Sequence, residues 1–146
     1  YGLNEIKEIF NDSDGAEEIL FIVATDKVFT AYPAFFEKFR KKMVKEGIFI
    51  RDILTYSANE SVAKNTKTTM KGFYDYKFLS KEQGDLPTSI RIWCNHVALI
   101  TLDEPALGMV ITNDSMAETF KIMFNTMWKA LPNLSGTPLR GDTEFV

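Results

Sequence analysis

The chain has 146 residues, enough for one domain around one core. Its 45% hydrophobic and 25% charged residues are the proportions of a soluble globular protein, and a net charge of −3 excludes a general electrostatic pull towards nucleic acid or an anionic membrane. One cysteine and one histidine exclude an internal disulfide and a Cys/His zinc cage, and no apolar run approaches the ~20 residues that span a bilayer.

In chain order, Leu3, Ile6 and Phe10 of GLNEIKEIF fall on one helical face, which NDSDG ends. EILFIVAT (18–25) is a nearly continuous apolar run, as in a strand buried on both faces. DKVFTAYPAFFEKFRKKMVKEG (26–47) is the clearest helix. Pro33 suits its first turn, Phe35, Phe36, Phe39 and Met43 share an inner face, and Gly47 suits a C-cap. IFIRDILTY (48–56) reads as a second strand. The polar SANESVAKNTKTTMKG (57–72) is weakly helical and poor in apolar anchors, an exposed helix or an ordered loop. FYDYKFL (73–79) alternates with period two, and KEQGDLPTS is a turn-rich break.

Three strands follow in close order: SIRIWCN (89–95), HVALITL (96–102) and ALGMVITN (106–113). The separators, Asn95 with His96 and then DEP, are short enough for antiparallel hairpins, and Cys94 reads as a buried, inert thiol in a strand. DSMAETFKIMFNTMWKAL (114–131) opens with Ser115 and Glu118 at capping-box spacing. Its apolar stripe is Phe120, Met123, Phe124, Met127 and Trp128, a core stripe rather than a cofactor box. Residues 132–146 lack periodicity and form a flexible C-terminal tail. Alternating strand and helix early, then a meander, predicts an α/β domain over residues 1–131 with a mixed sheet flanked by helices.

HVALITLD (96–103) is similar to the H-x-K-x-x-x-x-D run of the phospholipase D superfamily. His96 and Asp103 match, but Ala98 stands where that family has the lysine that helps to hold phosphate. Such sites use two copies of the motif, and one histidine supplies two copies only across a dimer. Arg91 or Lys77 are the cations on nearby strands. The preferred reading makes His96 a turn residue and the chain not an enzyme. The alternative is a phospholipase D or nuclease-type phosphodiesterase using His96 and Asp103 across a dimer. No cofactor or metal motif is present.

A broader resemblance covers the chain from Gly2 to about Leu131. EEILFIVATD, YPAFFEKFRKKMVKEGIFIRDIL, LPTSIRIWCNHVALITL and LGMVITNDSMAETFKIMFNTMW follow one another as in the C-terminal effector domain of TrmB-like transcriptional regulators. P-x-F-F-x-x-F combined with the late A-x-T-F-x-x-x-F-x-x-x-W helix is its most specific part. The resemblance implies a phospholipase-D-like fold with a degenerate catalytic motif. It further implies a non-catalytic effector-sensing and oligomerisation domain of a cytoplasmic helix-turn-helix transcriptional regulator. That regulator is expected to be a homodimer, to touch DNA through an N-terminal domain upstream of this fragment and to take a small-molecule effector. No ligand residue is carried over from the family. Ligands in α/β sheets tend to bind where loops leave the carboxyl ends of strands, so Thr25, Asp26, Ser57, Asn59 and Asn113 are the ligand-binding candidates.

Overall fold

The computed structural model describes residues 3–23, 32–56, 60–84, 86–101 and 106–133. Thr25, Asp26, Ser57, Asn59, Asp103 and the tail from residue 134 onward lie outside them. The chain runs α1 (Leu3–Asn11), β1 (Glu18–Val23), α2 (Pro33–Glu46), β2 (Phe49–Leu54), α3 (Glu60–Met70) and β3 (Tyr74–Phe78). A 3-10 turn (Lys81–Gln83) leads to β4 (Ser89–Trp93), β5 (His96–Thr101), β6 (Leu107–Thr112) and α4 (Asp114–Ala130). The strands form one six-stranded sheet in the order β3-β2-β1-β4-β5-β6. β1, β2 and β3 are mutually parallel, whereas β4, β5 and β6 form an antiparallel meander beside β1. This is the mixed sheet flanked by helices that the order of patterns predicts.

β1 is buried after Glu18 because it lies inside the sheet and is covered on both faces. Phe21 and Val23 meet the layer of α1, α2 and α3, while Leu20 and Ile22 meet α4. On the first face Phe10 of α1 stacks over Phe21 at 5.7 Å and meets Phe36 of α2 edge-on at 5.2 Å. α2 begins with Pro33 at its first turn. It ends at Gly47 with φ 69°, a left-handed conformation that glycine takes without a Cβ clash. The N–H groups of Gly47 and Ile48 then bond the carbonyls of Val44 and Met43.

The segment 57–72 resolves, over its described part, into α3. Its anchors are few, Ala63 and Met70 being its buried apolar side chains. Thr66, Thr68 and Thr69 each donate to the carbonyl four residues back, which satisfies the hydroxyls but adds no packing.

The period-two pattern of β3 suggests a half-solvated strand, yet its polar face is covered too. Lys77 is 2% exposed, and its ammonium donates to the carbonyls of Trp128 at 2.7 Å and Leu131 at 3.1 Å. A cation there meets both the last carbonyls of α4 and the negative end of its dipole. Arg91 on β4 plays a similar part for α1. It is fully buried, donates from Nη2 to the Phe10 carbonyl at 3.1 Å and lies 4.0 Å over the Trp93 ring. Burial pulls its pKa down to about 9, with Asp12 acting in the opposite sense. Each cation holds a helix end, and they do so on opposite faces of the sheet.

Three local expectations are corrected. The N-cap of α4 is Asn113, whose side chain accepts from the Met116 N–H at 2.9 Å, so the helix starts ahead of the Ser115 and Glu118 capping box. Cys94 is a half-buried turn residue with φ 49° instead of a strand residue, because the β4–β5 hairpin turns over Cys94 and Asn95 and leaves His96 as the first residue of β5. Met123 is 53% exposed because the core-facing line of α4 runs through Ala117, Phe124 and Trp128. β6 is the sheet edge, with Leu107, Met109 and Val110 exposed. α1 packs so closely over it that a Cβ on Gly108 would lie 2.8 Å from the Ile9 Cδ1.

Lys77→Met keeps most of the side chain's volume but removes the donor from two buried carbonyls. It is expected to cost on the order of 1–3 kcal/mol in urea unfolding. An unchanged unfolding midpoint would show that the ammonium does not hold α4.

Candidate functional site

Alternation along β2 sends Ile50, Asp52 and Leu54 to the face covered by α2 and α3. Two of the three are the apolar residues that position demands, and Asp52 is not. It is 8% exposed, and its Oδ2 accepts a 2.5 Å hydrogen bond from the Tyr74 hydroxyl. Its Oδ1 has no partner among the described residues. Burial raises the Asp52 pKa to about 7, the Tyr74 hydrogen bond working in the other direction. Tyr74 is itself raised well above an ordinary phenol, first by burial and then by the Asp52 charge.

The two residues border a cavity of about 50 Å3 between the sheet and the two helices. Phe21, Val23 and Leu54 form its floor, Phe36, Phe39 and Arg40 come from α2, and Val62, Ala63, Thr66 and Met70 come from α3. Arg40 also lines the pocket, its buried Nε has no acceptor among the described residues, and burial lowers its pKa despite the nearby Glu37 and Tyr74. The Thr66 hydroxyl is used by Val62 within the helix. The site is therefore an apolar pocket with one unsatisfied carboxyl oxygen and one unsatisfied guanidinium N–H. An uncompensated buried polar group costs stability, which gives such a pair a use for a ligand.

The candidates read from the sequence divide. Asn113 follows β6, which runs antiparallel to β1, so it sits at the amino end of β1 and β2 and cannot share a cleft with the loops after Val23 and Leu54. It serves there as a helix cap. Thr25, Asp26, Ser57 and Asn59 lie outside the described residues, but the strands they follow end in Val23 and Leu54, both of which line the pocket. Asp52, Tyr74 and Arg40 were missed. The available signal was one acid, beside Arg51, inside the mainly apolar IFIRDIL run, with nothing to say which face it takes.

The described part of the phospholipase-D-like run is strand β5. The His96 Nδ1 lies 2.8 Å from the Thr112 hydroxyl and its ring lies 5.0 Å from that of Trp93, while Ala98 is fully buried beneath α1. His96 and Thr101 stand at opposite ends of β5, roughly 16 Å apart at the usual strand rise. Asp103 lies outside the described residues. Among the described residues no group of His, Cys, Asp and Glu is placed to hold a metal ion, and no helix is long and apolar enough to cross a membrane.

No family model matches the chain, and no curated protein matches it. Among solved structures it is similar to TrmBL2, an archaeal chromatin protein described as showing a novel mode of DNA binding. The TM-score is 0.61 at 16% identity, over 90% of this chain and 49% of that one. At that identity the likeness shows a shared fold, and the chain spans about half the length of the structure it matches.

Asp52 makes stability depend on pH with a defined sign. Its folded value of about 7 exceeds the ~3.9 of an unfolded aspartate, so the folded protein holds this proton more tightly. The stability it contributes is fully present below about pH 4, is lost as pH rises to about 7, and is flat above. Wild type is expected to lose up to ~1.4 kcal/mol per pH unit in that window relative to Asp52→Asn, in urea unfolding at a series of pH values. Parallel pH profiles for the two proteins would contradict the assignment.

Proposed function

We propose that this chain is the non-catalytic regulatory part of a transcription regulator. It binds a small effector in the pocket under α2 and α3 and passes that state to a DNA-binding part carried elsewhere in a longer, cytoplasmic protein. The observation that carries this reading is the pocket itself, a mainly apolar cavity with unsatisfied polar groups in a fold shared with a DNA-binding chromatin protein. The net charge of −3 is in keeping with DNA contact lying outside this chain.

A route from pocket to α1 supports the proposal. Phe36 and Phe39 line the pocket, and Phe10 of α1 meets them edge-on at 5.2 and 6.5 Å. A ligand that moves either ring changes the seat of α1. The seat responds only if the ligand binds one arrangement better than the other. Self-association is assigned to the edge of β6, an uncharged strand that presents Leu107, Met109 and Val110 and meets its own copy antiparallel without like-charge opposition. A regulator that sediments as a monomer at every concentration would remove that part.

The test is a melting screen of small metabolites on wild type, on Ala63→Leu, which fills the pocket, and on His96→Ala. A ligand at ~100 times its Kd adds ~2.7 kcal/mol. The expected result is a stabilising compound whose effect disappears in Ala63→Leu and persists in His96→Ala. Turnover of a generic phosphodiester that is lost in His96→Ala would replace this reading with the phosphodiesterase.

A further inference from the structure

The chemistry of the pocket narrows what it takes, an inference that rests on the pocket being the effector site. Of its polar side chains, Tyr74 is used by Asp52 and Thr66 by the Val62 carbonyl. Two groups remain: Asp52 Oδ1 and Arg40 Nε, each buried and without a partner among the described residues. Arg40 Nε–H can only donate, so the ligand must offer it an acceptor. Asp52 Oδ1 accepts when ionised and donates when protonated, and in its ionised form it needs a donor.

Once Asp52 is ionised, above about pH 7, charge decides between the heads that meet these needs. A carboxylate satisfies Arg40 but sets a second negative charge against the buried Asp52. An ammonium satisfies Asp52 but faces Arg40 with a like charge and offers it no acceptor. A ketone serves Arg40 alone and leaves Asp52 Oδ1 as it was. A carboxamide carries its acceptor and its donors on separate atoms and brings no charge, so one head meets both groups.

Size narrows the body. On the scale where one water needs roughly 10–15 Å3, the cavity of about 50 Å3 holds a few waters' worth of ligand, about five non-hydrogen atoms. The lining around Phe36, Phe39, Leu54 and Met70 is apolar, so that body is a short or branched hydrocarbon.

We propose that the pocket under α2 and α3 binds a small uncharged molecule with a carboxamide-type head on Asp52 and Arg40 and a short branched apolar tail among Phe36, Phe39 and Met70.

Three probes of nearly one shape separate the cases: isobutyramide, isobutyrate and 3-methyl-2-butanone. Each is titrated into the 15N-labelled chain at about pH 8, where Asp52 is ionised, to roughly tens of millimolar, since ligands this small bind weakly. The amide is expected to shift resonances of β2, α2 and α3 and to bind at least about tenfold more tightly than either isostere. Arg40→Met, at a partly exposed helical position, is expected to weaken the amide and the ketone alike by removing the donor they share, and Asp52→Asn to retain amide binding with its pH dependence removed. Equal or tighter binding of isobutyrate or the ketone at these resonances overturns the ligand class while keeping the pocket as the site. Absence of any shift in β2, α2 and α3 with all three probes overturns both.

Discussion

The ammonium of Lys77, sealed beneath the end of α4, is the contact on which that side of the molecule depends. A lysine stem crosses an apolar layer and delivers its charge to the Trp128 and Leu131 carbonyls at the end of the helix. Arg51 reinforces the same helix from β2. It holds Glu18 through two nitrogens at 2.8 and 3.1 Å, donates to Asn125 at 2.9 Å and lies beneath Phe124 and Trp128. α4 is therefore fixed in rotation by packing and in translation by cations from two strands. A helix held in this way leaves little slack on its face of the sheet.

The opposite face is built differently. Arg91 holds the end of α1, and the aromatic group of Phe10, Phe21, Phe36 and Phe39 fills the space beside it. Beyond that group α3 contributes few anchors, Ala63 and Met70, and the cavity lies between its side chains and β2. Asp52 lines that cavity with Tyr74 as its hydrogen-bond donor among the described residues. A buried carboxyl with no cation on it holds its proton to about neutral pH, so the group can meet a ligand either as a donor or as an acceptor. One face secures the fold and the other leaves room for binding.

The sequence showed the architecture through its periodicities. EILFIV reads as a doubly buried strand because it is one, and the three late strands read as a meander because their separators are too short for anything else. The end of α2 was legible in Gly47, since a left-handed C-cap is a local demand. What stayed hidden depends on long-range placement. The alternation of YDYKF gives a polar face but not that a helix ends against it, so the role of Lys77 was out of reach. Met123 and Phe124 are adjacent in an unbroken apolar stripe, and only the rotation of α4 on the sheet decides that one is buried and the other exposed. Asp52 was equally opaque, because its meaning comes from Tyr74 on a neighbouring strand and Arg40 on a helix above. Asn113 was visible as a polar residue at a strand end, but the direction of β6 placed it on the wrong end of the sheet for the site.

The central claim is an unequal division of labour between the faces: α4 is pegged by cations, and α3 is the layer that yields. Native-state hydrogen exchange resolved by residue tests it most directly, because it measures the opening free energy of each helix separately. The expected result is that amides of α3 exchange through local openings well below the global unfolding free energy, while those in the middle of α4 exchange only with global unfolding. Equal protection of α3 and α4, or earlier opening of α4, would contradict the account.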